Sequence, residues 1–358
     1  MDEICHALAV QIGSNDLDCD NMPRISTILD CCQGLVTIEK GTSAVRLIHY
    51  TLQEYLRTHP DLFHRAHSTM AETCLTYLNF QHVKDLAAHL YPNPRSTPFL
   101  KYSSLYWGTH IRLELSDGAR TFALELLDQF DSHISAKSLW TSILEGLPFY
   151  YYLDDKPFSA LHCIAYFGIA DLTNALIKMN RWDVNQRDGV GMTPLIWAAR
   201  YRHEEVARLL LGEKHIEPDQ QDTNCGQTAL SWAAENGCEG IVRQLLERED
   251  IDPNTQDPID GRTPLSAKNG HERVVKLLLE EKDINPNTSK YHCPLSWAVK
   301  NGHEGVVKLL LGRKDVGPNT PDPTFGRTPL GWASKHGHEG TVKLLLGRED
   351  VDPDIRDL

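Results

Sequence analysis

One short phrase of residues is written over and over in the second half of this chain, and nothing constrains the fold more. At 226–246 it reads GQTALSWAAENGCEGIVRQLL. It returns as GMTPLIWAARYRHEEVARLLL at 191–211, GRTPLSAKNGHERVVKLLL at 261–279 and GRTPLGWASKHGHEGTVKLLL at 326–346. A variant, HCPLSWAVKNGHEGVVKLLL, starts at His292, and a degenerate copy, FSALHCIAYFGIADLTNALI, at Phe158. Thr193, Thr228 and Thr263 fall 35 residues apart; Cys293 follows 30 later, Thr328 another 35 on, and Ser159 precedes Thr193 by 34. A fixed period of this length means a stacked array of one small structural unit.

Each unit reads as helix, turn, helix. The Thr is an N-cap whose hydroxyl accepts from a free backbone N–H, and the Pro after it stands at the first helical position, where no N–H is needed. Ala198 and Ala199, or Ala233 and Ala234, are small enough to let neighbouring helices approach closely. Gly237, Gly270, Gly302 and Gly337 follow the short first helix, where a left-handed closing residue is wanted. The second helix carries apolar residues at helical spacing: Ile241, Val242, Leu245 and Leu246, then Val306, Val307, Leu310 and Leu311. One such hairpin cannot bury that face alone, so the units must stack. This G-x-TPL-x-x-A-A-x-x-G-H-x-x-x-V-x-x-LL pattern resembles the ankyrin repeat, whose usual period is about 33. The resemblance covers 156–358 in six repeats: 156–190, 191–225, 226–260, 261–290, 291–325 and 326–358. It implies a mainly α fold, an ankyrin solenoid, with the extra residues in finger segments such as DPNTQDPID.

The fourth repeat departs from the pattern. From Leu265 to Gly270 there are five steps, against seven from Leu230 to Gly237, and the Trp found at 197, 232, 297 and 332 is missing. A shortened first helix and a local distortion are expected there. In the sixth repeat Val342, Leu345 and Leu346 are expected to be partly exposed, since no polar capping helix follows.

The first half has another texture. Ile4, Leu8 and Ile12 mark one face of a helix; Pro23 opens a second with Ile25, Ile28, Leu29 and Cys32 inward; LVTIEK and VRLIHY read as a hairpin; and Thr51-Leu-Gln-Glu54 is a capping box opening a third helix. Helix, helix, hairpin, helix is the order of a winged helix. The strings HALAVQIG, LDCCQGLVTIEK and VRLIHYTLQEYLRTH resemble the winged-helix region of fungal NACHT–ankyrin proteins, which are STAND-type, NLR-like receptors. That region also shares a family label with GPI inositol deacylase, yet no G-x-S-x-G elbow occurs here, so no hydrolase is implied. The resemblance implies a partial winged helix at 1–60, a helical linker at 61–150, and an interaction protein coupled to a NACHT nucleotide switch that lies upstream or on a partner. No G-x-x-x-x-G-K-[ST] is present to cradle a phosphate, and no cofactor is expected.

Charge and cysteines narrow the class. The net charge is −13, with 11 basic against 17 acidic residues up to 150 and 25 against 32 beyond it. Nucleic acid is therefore not an expected partner. The alternative, a winged-helix DNA-binding regulator, finds only Arg24, Lys40, Arg46 and Arg57 as cations between 20 and 57. No apolar run approaches the length that spans a membrane, and 1–13 is no secretory signal. Nine cysteines, an odd number without a C-x-x-C pair, point to a reducing compartment, the cytoplasm.

Several residues invite chemistry. His59, His64 and His67 suggest zinc, but nothing completes a tetrahedral set. Cys163 beside His162 suggests a nucleophile and base, yet adjacent helical side chains point apart. His271, His303 and His338 read as structural, bonding backbone between repeats as the resemblance implies. Asp257, Asp260 and Asp322 lack a calcium-loop pattern and read as solvated turns. Asn287-Thr-Ser289 matches a glycosylation acceptor, without relevance in a cytoplasmic protein. The recurring Trp is read as framework rather than a stacking platform. What survives is a surface. Carried over from the ankyrin motif, the concave positions for a protein ligand are Arg200 and Tyr201, Glu235 and Asn236, Lys268 and Asn269, Lys300 and Asn301, and Lys335 and His336. Arg200 and Tyr201 stand first, because Arg and Tyr anchor interfaces; the three Asn also suit helix ends.

Overall fold

A computed structural model describes residues 2–39, 44–59, 62, 65–86, 97–145, 156–259, 261–266, 269–287, 293–322 and 325–355. The backbone divides into two compact units, Met1–Pro148 with Pro157–Leu172, and Phe149–Lys156 with Thr173–Leu358. No helix among the described residues is long and apolar enough to cross a membrane.

The N-terminal unit opens with α1 (Asp2–Ala9), α2 (Ile25–Cys31), the antiparallel pair β1 (Val36–Ile38) and β2 (Val45–Leu47), and α3 (Tyr50–Thr58). The observed order is thus helix, helix, hairpin, helix. Three details differ from expectation. In α1, Cys5 and Ala9 face inward, while Leu8 and Ile12 are 60 % and 42 % exposed; the small residues let the helix seat closely. The second helix begins at Ile25 rather than Pro23, and Ile25, Ile28, Leu29 and Cys32 are only half-buried. Thr51 and Glu54 form no capping box, because the cap lies two residues earlier. His49 Nδ1 accepts from Thr51 N–H at 3.2 Å, and Glu54 pairs with Arg57 instead.

The core of this unit is built from α4 (Ala66–Leu78), the single turn α5 (Gln81–Lys84), α6 (Leu100–Leu113), α7 (Asp117–Asp128) and α8 (Ile134–Glu145). Leu75, Leu78, Trp107, Ile111, Leu126, Leu127 and Leu139 are fully buried among them. Ser116 caps α7, accepting from Ala119 N–H at 3.0 Å. His133 is buried where its Nε2 meets Leu78 O at 3.1 Å, and burial pushes its pKa down to about 4. The degenerate first repeat joins this core. Its helix α9 (Ala160–Phe167) packs on α6, with Phe167 against Trp107 at 5.4 Å. Gly108 has no room for a Cβ, which would lie 2.3 Å from the Phe167 ring. The next helix, α10 (Ala170–Met179), runs across the boundary between the units.

In the second unit the repeats follow as inner and outer helices: α11 (Pro194–Arg200) and α12 (Glu204–Leu211), α13 (Ala229–Glu235) and α14 (Glu239–Leu246), α15 (Glu272–Glu280), α16 (Pro294–Lys300) and α17 (Glu304–Leu311), α18 (Pro329–His336) and α19 (Glu339–Leu346). Thr193, Thr228 and Thr328 cap inner helices as expected, and Cys293 does the same with its sulfur, 3.4 Å from Ser296 N. In the fourth repeat the inner helix shrinks to a 3-10 turn, Pro264–Ser266, and the cap reverses: Thr263 N–H donates to Ser266 Oγ at 3.2 Å. The outer faces stack along the array through Val206, Ile241, Val242, Val274, Val275, Val306 and Val307, all buried. In the sixth repeat Leu346 is exposed and Val342 half-buried, but Leu345, expected at the surface, is fully buried against α17.

Three devices tie neighbouring repeats. First, each closing Gly lies under a ring of the next repeat. A Cβ on Gly237, Gly270 or Gly302 would sit 2.7, 2.6 or 2.8 Å from His271, His303 or His338, and all three backbones are left-handed. The histidines are structural, then, and His338 Nε2 also reaches Lys300 O at 3.3 Å. At one joint both partners change together. Arg202 occupies the left-handed position with φ 64°, and Cys238, smaller than a ring, stands opposite. Second, Arg248, Arg313 and Arg348 reach back to Leu211 O, Leu279 O and Leu311 O, each at 2.9 Å, while Asp250, Asp315 and Asp350 hold their guanidinium groups. These carboxyls are kept below their ordinary range by that pairing. Third, Asn185, Asn254, Asn287 and Asn319 each clamp the following turn. Asn254, for example, donates to Asp283 O at 2.8 Å and accepts from Asn285 N at 2.7 Å. Asn287, the acceptor-motif residue, is engaged in this way with Asp315 O and Gly317 N; Ser289 lies outside the described residues.

Candidate interaction surface

The surface is set by the fingers. Asp188, Asp222, Asp257 and Asp322 are each 3 % exposed or less, so the solvated turns expected of Asp257 and Asp322 are not found; Asp260 lies outside the described residues. Each backbone N–H closes a turn onto Met192 O, Gln227 O, Arg262 O or Arg327 O, and each carboxylate collects the N–H groups of the tip. Asp222 accepts from Asn224, Cys225 and Gln227, and Asp322 from Phe325 and Arg327. A buried carboxylate is tolerable only with such donors. The remaining oxygen meets the inner helix. Trp197, Trp232 and Trp332 donate their indole N–H to Asp188, Asp222 and Asp322 at 2.6, 3.0 and 2.6 Å. In the fourth repeat, which has no Trp, Arg262 Nε fills that role on Asp257 at 3.0 Å. Burial pushes the Asp188 carboxyl up to about 7 against its three hydrogen bonds, with the Asp222 charge adding to the rise.

Trp197, Trp232 and Trp332 are fixed at the edge by the finger, and these indoles and that of Trp297 turn a face toward cations. Arg200 lies 4.4 Å from the centre of Trp232 and 5.9 Å from those of Trp197 and Tyr201. Arg262 stands 5.7 Å over Trp297. Lys300 lies 5.4 Å from Trp297 and 5.1 Å from Trp332, and Arg327 and Lys335 also cover Trp332, at 4.9 and 5.1 Å. Contacts of this kind contribute about 0.5–1 kcal/mol each at exposed sites. The Trp is framework at its N–H and platform at its face.

Of the residues expected at the surface, Tyr201 is 38 % exposed and stacked on Trp197, and Arg200 is half-buried beside it. Glu235 is half-buried and accepts from Gln227 at 2.8 Å. Asn236 and Asn301 turn back to close their own helices, donating to Trp232 O and Trp297 O at 2.9 and 2.8 Å. Asn269 donates to Glu235 O of the preceding repeat at 2.8 Å. Lys335 and His336 are exposed and Lys300 half-buried; Lys268 lies outside the described residues. Desolvation against Trp332, then the charges of His338, Lys335, Lys300 and Arg327, lower the His336 pKa. The residues that sequence reasoning missed are Arg262, Arg327 and Gln227, each directly before a Thr anchor; their shared place in the period was the available signal.

The other candidates do not assemble. His59 Nδ1 turns to Tyr55 O at 2.9 Å, His67 Nδ1 faces His110 Nδ1 at 2.9 Å, and His64 lies outside the described residues. Among the described residues no three His, Cys, Asp or Glu side chains are grouped to hold a metal ion. His162 Nδ1 accepts from Ser159 N–H at 3.1 Å and meets its hydroxyl at 2.7 Å, and burial pushes the Cys163 thiol well up, away from the reactive thiolate.

A family model described as ankyrin repeats (three copies) matches residues 147–222, 214–289 and 265–357. Among solved structures, the chain is similar to EF0377, an ankyrin repeat protein, at 23 % identity and a TM-score of 0.47, covering 52 % of this chain and 96 % of that one. It is similar to the ankyrin repeat domain of Bcl-3, described as a unique member of the IkappaB protein family, at 27 % identity and 0.47, covering 55 % and 88 %. The human ASB11 ankyrin repeat domain stands at 22 % and 0.47, covering 56 % and 87 %. No curated protein matches the chain.

Proposed function

The chain belongs to the ankyrin-repeat family, and from that premise we propose that its repeats form a non-enzymatic module that binds a protein ligand along the strip of inner-helix ends and fingers. The observation that carries this reading is Tyr201 held flat on Trp197, with Arg200 lodged between that pair and Trp232. Anchors already ordered lose little freedom on binding, and Tyr and Arg are the residue types that dominate interface energetics. A photo-crosslinking residue at 201 should capture a partner from cell extract, while the same residue at Glu205 on the exposed face of α12 should not. Equal capture at both positions, or at neither, sinks the assignment. With the captured partner in hand, Arg200→Ala with Tyr201→Ala should weaken binding by about 2–4 kcal/mol while the circular dichroism at the assay temperature stays that of the folded parent.

The wider setting follows from the resemblance of the first half. We assign 1–60 to a partial winged helix, 61–150 to a helical linker and 156–358 to the repeats. The array then senses a ligand for a NACHT-type nucleotide switch in the reducing cytoplasm, as the unpaired cysteine pattern suggests. Native protein probed with an antibody to 156–358 should then run far above 40.4 kDa or co-purify with a nucleotide-binding partner. A lone band at that mass with no such partner removes the receptor setting and leaves the binding module.

A further inference from the structure

The last three repeats carry a charge the rest of the chain does not. Residues 261–358 hold 15 basic against 13 acidic residues, in a chain whose net charge is −13. Four of their cations share one strip: Arg262 and Arg327 before the Thr anchors, Lys300 and Lys335 at the ends of α16 and α18. The acids of these repeats are elsewhere. Asp322 is buried in a finger turn, and Glu272, Glu304 and Glu339 open the outer helices; Asp257, from the repeat before, pairs with Arg262 at 3.0 Å. Among the described residues neither Lys300 nor Lys335 forms an ion pair; both rest on indole faces, Lys300 on Trp297 and Trp332 and Lys335 on Trp332. An ammonium resting on an indole keeps N–H donors directed outward.

We propose that the inner strip of the fourth to sixth repeats binds an extended acidic segment of a partner protein, its carboxylates meeting Arg262, Lys300, Arg327 and Lys335. This rests on the strip being a protein-binding surface. The register follows from two lengths. Neighbouring inner helices pack about 8–10 Å apart, and an extended chain advances about 3.4 Å per residue. One carboxylate about every third residue therefore matches one repeat. A nucleic acid would also meet the cations, but the neighbouring repeats at 191–260 hold 6 basic against 14 acidic residues, which disfavours a long, uniformly anionic ligand.

The test uses the full chain and fluorescent ten-residue peptides with Glu at every third position and Gly and Ser between. Binding should weaken with salt. It should exceed that of the Lys counterpart, and of a peptide with its Glu residues adjacent, by at least about tenfold. Lys300→Gln with Lys335→Gln should lower affinity by a similar factor while the circular dichroism at the assay temperature stays that of the folded parent, and the paired Lys→Arg changes should restore it. No binding of the spaced peptide, equal binding by the Gln variant, or equally tight binding of an oligouridine of the same charge overturns the proposal. Partner capture at 201 without acidic-peptide binding overturns this chemistry alone; loss of both removes the binding module as well.

Discussion

Asn185, Asn254, Asn287 and Asn319 each offer the following turn a donor and an acceptor, and Asp219, in the equivalent place, offers only acceptors. Its one backbone partner is Asp252 N at 3.3 Å, it accepts a second, longer bond from Thr255 Oγ1, and its Oδ1 is buried without a partner. Burial raises its pKa accordingly. Asp219→Asn should supply the missing donor and stabilise the array by about 1 kcal/mol, read as a shift in urea midpoint at constant slope; an unchanged or lower midpoint would show that the turn cannot use the amide. Much at this scale was legible. Caps and left-handed closures act on backbone a few residues away, so Thr193, Thr228, Gly237 and Gly302 declared themselves. The finger aspartates did not, because what buries them is an indole nine or ten residues downstream, and no local propensity encodes that approach. Thr51 and Glu54 satisfied the letter of a capping box but lost to His49, whose ring reached the same N–H first.

Among elements, the fourth repeat was the clearest inference from spacing alone. Five steps between Leu265 and Gly270 cannot complete an inner helix, and the chain folds a 3-10 turn there. Inserting Trp-Ala after Ser266 restores the length and composition of α13. The variant should gain about 1–3 kcal/mol from the added buried surface and unfold more cooperatively in urea; loss of stability would mean that the neighbouring repeats have adapted to the short turn. The joint between the second and third repeats tests whether paired changes are coupled. Cys238→His alone should push a ring into the Cβ of Arg202 and destabilise by about 1–3 kcal/mol, whereas Arg202→Gly with Cys238→His recreates the geometry at Gly237 and His271. A double-mutant cycle should return a favourable coupling of about 1–2 kcal/mol; additivity would refute it.

On the scale of the whole molecule, the two compact units should answer acid in opposite directions. His133 in the first has a pKa of about 4, below the ordinary 6.5. As pH falls through that window the unfolded chain takes a proton the fold refuses, and up to about 3 kcal/mol is lost. Asp188 in the second has a pKa of about 7, above the ordinary 3.8. Its fold keeps a proton that the unfolded chain has released, so stability falls as pH rises from about 4 to about 7 and returns on acidification. Calorimetry between pH 7 and 4 should show one transition descending and the other climbing, with Asp188→Asn abolishing the climb; parallel movement contradicts the assignment. The unit boundary itself was hidden from sequence. The first repeat keeps its periodic wording, yet Phe167 finds Trp107 in the preceding helices, a contact between residues sixty apart. The short fourth repeat has a mechanical corollary. Force along a linear array is borne equally by every joint, so the weakest yields first. The joint between the third and fourth repeats has no inner-helix Trp on its fourth-repeat side, and Glu281 stands where Arg248, Arg313 and Arg348 provide a staple elsewhere. Stretched in an optical trap, the array should part there, releasing its halves as two separate extensions rather than peeling from an end.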